Sequence, residues 1–384
     1  MIPLMKNAFI RESKTRKVLS KFILSNAHLS MGEKCFEFEK EFAKYQGRKY
    51  AVLVNSGGSA NLLLIQSLKN LGRIKDGDKV GFSALTWSTN VMPLISSNLI
   101  PIPIDVSNKT LNVMSDRLEE SIINEKLQVL FTTNVLGFAG DLLKIKEICK
   151  KHNVILLEDS CEALGTEIDG IKTGNFGLAS TFSFYVAHHM STIEGGMVCT
   201  DDEELAMMLI MCRANGWDRN LPKNIQNSLR KKYGISDFYS KYAFYDIGMN
   251  VRPTEINGVL GLEQLKYIDK TLNKRERNFK KLNRIVKNNP ELIPVSTDHL
   301  SFISNFSFPV ISENIEKYIK RFNNEVEIRP LIAGNIIKQP FWAKYIKKDY
   351  NLSNTDYLHK NSFYFGNYSD LSKEDLQKIE ELLK

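Results

Sequence analysis

Through the first 200 residues, short unbroken apolar runs alternate with stretches whose apolar positions recur every three or four residues. Tyr50–Val54 (YAVLV) is the clearest run. Such runs are too short for a helix and suit a strand buried on both faces. Comparable runs at 79–82, 100–105, 128–135, 154–158, 180–185 and 197–200 predict further strands. Helical spacing follows from Ala60 (ANLLLIQSLKNLG) and recurs at 89–97, 115–124, 141–152 and 202–214. Strands alternating with helices need crossover connections. The pattern therefore predicts an α/β fold with a mostly parallel sheet and helices on both faces.

The flanking segments read differently. Residues 1–48 are helical in pattern, and the turn at Met31-Gly32-Glu33 opens a helix whose expected apolar face is Phe36, Phe38 and Phe42. Residues 253–290 read as one long helix with a basic face. Beyond it, 306–311 and 327–330 predict strands, and 315–323 and a segment from Lys373 predict helices, which makes a smaller α/β unit. The expected division is a large domain over 1–250, with the N-terminal helical segment, and a connector helix plus small domain over 251–384.

Composition narrows the class. A chain of 384 residues with 43% hydrophobic and 25% charged residues suits a soluble protein of two domains. No stretch approaches the ~18 consecutive apolar residues of a membrane span. The N-terminus lacks the apolar core of a signal peptide, so a cytoplasmic location without a membrane partner is expected. The net charge of +8 is spread along the chain, with a local run at 274–287. That reads as a solvated face rather than a nucleic-acid site, and it suits an anionic small substrate such as a nucleotide sugar. The five cysteines, Cys35, Cys149, Cys161, Cys199 and Cys212, have no metal-ligand spacing. No metal site is expected, and the thiols read as reduced.

In open α/β sheets, ligands sit beyond the carboxyl ends of the strands, and four motifs fall there. Asn55–Asn61 reads NSGGSAN at a strand-to-helix turn: an anion cradle or a plain glycine turn. Trp87 follows the next strand and could stack on a flat ring or fill the core. VILLEDSCE ends in Asp159, which could pair with a protonated ring nitrogen or cap a helix. SFYVAHHMSTIEGGM carries Ser183, His188 and His189 before a Glu-Gly-Gly bend. Together they match the layout of a pyridoxal phosphate site.

With Gly32-Glu33, RANGW at 213–217 and NVRPTE at 250–255, these motifs resemble the DegT-type nucleotide-sugar aminotransferase family over essentially the full length. The resemblance implies an aspartate-aminotransferase-like (fold type I) large domain. It implies that Gly57, Gly58, Ser59 and Ser183 hold the cofactor phosphate and that Trp87 stacks on the ring. Asp159 would face the ring nitrogen and Glu162 the ring hydroxyl, where many relatives carry Gln. Asn250 would reach the partner subunit's cofactor in a homodimer with shared sites. Candidate substrate contacts are His189, Arg219, Arg252 and Arg329, each with an equally plain structural reading.

One departure decides the chemistry. Where the aminotransferases carry the lysine that binds the cofactor covalently, this chain has His188. An imidazole cannot form that link, so pyridoxamine/pyridoxal 5'-phosphate is expected to be held non-covalently. The departure resembles the Lys-less branch of the family, 3-dehydratases that act on nucleotide-linked 4-keto-6-deoxy sugars with glutamate as amino donor. His188 would be the catalytic base. The scattered cysteines argue against the iron–sulfur branch and its reductase partner. Two alternatives stay open here: an aminotransferase using a displaced lysine such as Lys172, and a catalytically degenerate binding protein.

Overall fold

The computed structural model describes residues 1–26 and 28–384. Its main sheet is built from β1 (Tyr50–Val54), β2 (Lys79–Ser83), β3 (Ile100–Ile104), β4 (Val129–Thr133), β5 (Ile155–Asp159), β8 (Ala179–Ser183) and β9 (Gly196–Thr200). Two short strands, β6 (Glu167–Ile168) and β7 (Ile171–Lys172), form a separate hairpin. The sheet order is β1-β9-β8-β5-β4-β2-β3. Pairings from β8 to β3 are parallel, whereas β9 is antiparallel to both β1 and β8. Only β9 is reversed, so the strands on either side of it end at the edge where it begins. Val54 and Ser183 both pair with Gly196.

That edge is packed too tightly for side chains. A Cβ on Gly57 would stand 2.7 Å from the Ser183 Cβ, and one on Gly196 would stand 2.2 Å from the Ser56 carbonyl oxygen. Glycines at 57 and 196 let the helix Gly57–Asn70 start directly against β8 and β9. The outer face of these strands is sealed by aromatic packing. Phe42 stands edge-on to Phe182 and Phe184 at centroid separations of 5.3 and 5.2 Å. Phe42 and Phe38 lie on the helix Glu33–Gln46, with Cys35 on the same buried face. Phe36 instead is 43% exposed. Positions 36 and 38 are ~200° apart on a helix and cannot share one face, whereas 35, 38 and 42 can.

Residues 253–290 are two helices rather than one, Glu255–Leu265 and Ile268–Asn288. The first is almost wholly buried, with Gly258 against the backbone of Lys34 and Cys35 and Gly261 against the Phe38 ring. The second is amphipathic, burying Leu272, Arg275 and Phe279. Different environments require different faces, and the chain re-aims at Lys266-Tyr267. Beyond lies an antiparallel sheet in the order β10-β12-β11, formed by β10 (Ser307–Ile311), β11 (Ile328–Pro330) and β12 (Ser362–Gly366). Its central strand, SFYFG, and the preceding helix Ser353–Asn361 were not among the predicted elements. The N-terminus reaches this sheet, with Ile2 bridging Val326. Among the described residues, no helix is long and apolar enough to cross a membrane.

Strand β5 ends in two carboxylates that point to opposite sides, as pleating requires. Glu158 is fully buried and accepts from the backbone N–H groups of Gly174 (2.7 Å), Phe176 (2.7 Å) and Gly177 (2.8 Å). It thereby pins the turn that feeds β8. Glu158→Ala leaves three buried donors without an acceptor. The expected loss is roughly 3 kcal/mol or more, read as a lower urea midpoint of the cofactor-free protein; an unchanged midpoint would show that this brace is dispensable.

Candidate active site

The strand ends surround a cleft of about 550 Å³. Asp159 lies at its base and is 3% exposed. Oδ2 accepts from Asn61 Nδ2 (2.9 Å) and Asn90 Nδ2 (2.7 Å), and Oδ1 accepts from the Cys161 N–H (2.9 Å). Asn61 comes from the helix after β1 and Asn90 from the turn after β2. Three elements thus converge on one carboxylate. Neither asparagine was anticipated, although Asn61 sits within the NSGGSAN motif.

Above Asp159, the start of the helix Gly57–Asn70 forms one wall. Ser56 caps it, its Oγ accepting from the Ser59 N–H (3.1 Å). The first N–H groups of a helix have no partner within it and attract anions. Ser56, Gly57, Gly58 and Ser183 line the cleft there, while Ser59 is engaged by the cap. Trp87 stands at the rim, 55% exposed. Phe306 and Tyr364, on or beside the small sheet, close the opposite wall.

Between β8 and β9 the chain makes the histidine loop. Its ends are tied by the Phe184 N–H to the Gly195 carbonyl (2.9 Å) and the Thr192 N–H to the Phe184 carbonyl (2.9 Å). His188 lines the cleft, its ring 5.4 Å from that of Phe306. Its Nδ1 is sealed from solvent without a hydrogen-bond partner. Among the described residues that line the cleft there is no lysine.

Residues 10–384 match the model of the DegT/DnrJ/EryC1/StrS aminotransferase family. The chain belongs to this family. It is 34% identical to a GDP-4-keto-6-deoxy-D-mannose 3-dehydratase from Yersinia pseudotuberculosis, over 97% of this chain and 96% of that one. It is 33% identical to the lipopolysaccharide biosynthesis protein RfbH of Salmonella typhimurium, over 89% of this chain and 82% of that one. A solved structure of GDP-4-keto-6-deoxymannose-3-dehydratase with a trapped PLP-glutamate geminal diamine superposes with a TM-score of 0.92 at 33% identity, covering both chains completely. The fold is thus the aminotransferase fold expected for the family.

Pyridoxal phosphate, as found in that solved relative, fits the residues present here. The close approach of Gly57 to Ser183 keeps the helix start free of side chains where a phosphate would sit. Asp159 presents a carboxylate whose orientation is locked by donors, as pairing with a ring N–H requires. Glu162 lines the same cleft and accepts from the Leu136 N–H at 2.6 Å.

The DegT-type site excludes several expected contributors from its own walls. His189 is 2% exposed and turned away, with Nε2 2.6 Å from the Ser304 carbonyl oxygen. Arg219 is exposed and lies over the Trp217 ring. Arg252 is exposed and donates to Asn250 Oδ1 (3.0 Å), and Asn250 is itself exposed. Arg329 is exposed and bonded to Glu327 (2.5 Å). Lys172 sits on the β6–β7 hairpin, donating to the Tyr45 carbonyl (2.6 Å), and is not part of the cleft lining. Sequence spacing shows neither which of two adjacent histidines faces a cleft nor where a surface arginine points.

Burial sets the protonation of the two cleft groups. It raises the Glu162 carboxyl to about 8, opposed by the Leu136 N–H and reinforced by Asp159. It lowers the His188 imidazole to about 4; Asp159 pulls the other way and Arg275 adds to the fall. Between its ordinary value of 4.5 and about 8, Glu162 keeps its proton in the folded state and loses it on unfolding. Its contribution to stability therefore falls as pH rises through that window. Both histidines, being depressed, cost stability only as pH falls below 6.5. Glu162→Gln keeps the acceptor for Leu136 and removes the titration. The variant is expected to gain Tm relative to the parent as the pH of the cofactor-free protein rises from about 6.5 to about 8. A constant difference would show that Glu162 is ionised throughout.

Proposed function

We propose that the chain is a pyridoxamine phosphate-dependent nucleotide-sugar 3-dehydratase. It removes the C3 hydroxyl of a 4-keto-6-deoxy sugar, with GDP-4-keto-6-deoxy-D-mannose as the favoured substrate and glutamate as the amino donor. The observation that carries this reading is His188, the imidazole that lines the cleft where a family aminotransferase needs a lysine. The net reaction balances: sugar and glutamate yield the 3-deoxy sugar, 2-oxoglutarate and ammonia.

Bound pyridoxamine phosphate supplies an amine for the 4-keto carbon and a ring that takes up and returns an electron pair. The protein supplies the rest. The helix start at Gly57 and Gly58, with Ser59 and Ser183, holds the phosphate. Asp159 holds a proton on the ring nitrogen, Trp87 covers the ring, and Glu162 faces the ring hydroxyl. His188 is neutral across physiological pH, so it can take up a proton as base and deliver it to the departing C3 hydroxyl. Because an imidazole does not bind the cofactor covalently, the amine stays available.

The same reading makes the enzyme a cytoplasmic homodimer acting in O-antigen synthesis, with colitose as the dideoxysugar. It also divides the chain into a cofactor-binding domain, 1–250, and a small domain, 251–384. The dimer is supported by an exposed aromatic surface. Phe238, Tyr239, Tyr242 and Phe244 are 73%, 71%, 77% and 58% exposed. Phe244 bridges Trp217, and Asn250 bridges Ala214, so these aromatics adjoin Asn250, Arg219 and Arg252. Asn250 is the residue proposed to reach a neighbour's cofactor, and Arg219 and Arg252 are candidate substrate contacts beside it.

The test is a panel of GDP-, CDP- and dTDP-linked 4-keto-6-deoxy sugars with glutamate, followed by mass analysis. Loss of the 3-hydroxyl with release of ammonia is expected; a 4-amino sugar as the only product would overturn the proposal. His188→Asn is expected to lower kcat by roughly 10²–10⁴-fold. His188→Lys should abolish dehydration and become covalently labelled on borohydride treatment, whereas the parent should not. Continued 3-deoxygenation by His188→Lys would remove His188 from its assigned role.

A further inference from the structure

One wall of the cleft comes from the small sheet and its connections. Phe306 precedes β10, Ile332 follows β11 and Tyr364 lies in the middle of β12. Tyr364 pairs with Pro309 on one side and Arg329 on the other. Its neighbours Phe363 and Phe365 are buried in the core beneath the sheet. Side chains alternate along a strand, so Tyr364 projects from the opposite face, into the cleft. The Phe306 ring adjoins both Tyr364, at a centroid separation of 6.2 Å, and His188, at 5.4 Å. Phenol and imidazole therefore share one part of the cleft wall.

A largely buried tyrosine normally gives its hydroxyl a partner. The Tyr364 hydroxyl makes no hydrogen bond to any described residue, yet it is not sealed from solvent. It is open to the cleft. Burial, reinforced by Glu162 and opposed by Arg329, pushes the phenol up to about 12. It keeps its proton at physiological pH and can both donate and accept. The side chains beside it are apolar. Ile332 is 8% exposed and holds a φ of 51°, which a β-branched residue rarely adopts. The turn that imposes this conformation is closed by the Gly334 N–H on the Leu331 carbonyl (2.8 Å). This wall thus presents one polar group among apolar ones.

Polar groups on the other side of the cleft are engaged already. Asp159 is met by three donors, Ser56 caps the helix, and Glu162 accepts from Leu136. With the helix start, they form the place proposed for the cofactor. A sugar joined to the cofactor's amine extends away from that place, toward the small sheet. A sugar hydroxyl set against Phe306 or Ile332 would lose water and gain no partner. One set against Tyr364 would gain a partner. A few polar groups in an apolar lining fix a ligand's orientation in this way.

We propose that Tyr364 is a substrate-binding residue whose hydroxyl bonds a hydroxyl of the nucleotide-linked sugar and sets that sugar against His188. Phe306 and Ile332 disfavour hydroxyls elsewhere on the same face, so the wall selects by the pattern of hydroxyls on the sugar. Tyr185, the other phenol among the described residues of the lining, is 44% exposed and belongs to the histidine loop rather than to this wall.

This assignment rests on the nucleotide-sugar reading, and its test separates the two. Tyr364→Phe keeps the ring and its contact with Phe306 and removes only the oxygen. Calorimetry on the holoenzyme compares GDP with GDP-6-deoxy-D-mannose, which lacks the 4-keto group and cannot react. The variant is expected to bind GDP-6-deoxy-D-mannose roughly 10-fold more weakly than the parent and GDP equally well. Conversion of the bound cofactor by glutamate alone, followed by absorbance, should keep its rate. Equal affinity of parent and variant for GDP-6-deoxy-D-mannose would overturn the assignment. So would an equal loss for GDP, or a slowed reaction with glutamate, which would put the phenol at the nucleotide or at the cofactor. A parent that binds neither compound would overturn the GDP-sugar reading, and this assignment with it.

Discussion

A carboxylate out of contact with water must be met by donors. Asp159 meets that requirement with one N–H from its own turn and two amide groups from other elements. Asn61 reaches it only if the helix after β1 starts hard against β8, and Asn90 only if the turn after β2 folds back over the sheet. The first condition is steric. It is met because Gly57 and Gly196 have no side chains to hold the helix start away. One buried carboxylate and two glycines thus place the anion-binding helix start, the base of the cleft and the rim residue Trp87 relative to one another.

The opposite wall comes from far along the chain. Phe306 and Tyr364 lie on or next to the small sheet, and they confine the histidine loop from the side away from the helix start. The loop is held to that sheet by polar contacts, namely His189 to Ser304 and Arg275 to the carbonyls of His188, Phe306 and Asn367. Burial produced in this way sets the two protonation states on which the chemistry depends. The imidazole stays neutral well below physiological pH, and the Glu162 carboxyl holds its proton through neutrality. Neither state is a property of the residue type; each results from two parts of the chain closing over the other's polar groups.

Much of the architecture was legible because hydrophobic periodicity reports burial directly. The seven main-sheet strands coincide with the predicted runs to within two residues at either end. Errors arose where periodicity is ambiguous. The helix at 253–290 kept its pattern across Lys266-Tyr267, yet its two halves pack in different surroundings, so the chain breaks there. Phe36 looked like core because it is aromatic, but helix geometry puts it opposite Phe38. Strand β12 is a short apolar run late in the chain, and it becomes the middle of a sheet only through partners 33 or more residues away.

Residue types determined the chemistry, and tertiary packing determined who performs it. A histidine in place of lysine, a glycine-rich helix start and an acid at a strand end can be read directly, because each is a functional group in a fixed local turn. Of two adjacent histidines, only one can face the cleft. That choice was made by the Ser304 carbonyl, which lies 115 residues away and takes His189. The partners of Asp159, the wall of Phe306 and Tyr364, and the arginine behind the loop are likewise long-range. No local pattern encodes them, because hydrogen-bond and burial partners are set by where distant segments meet.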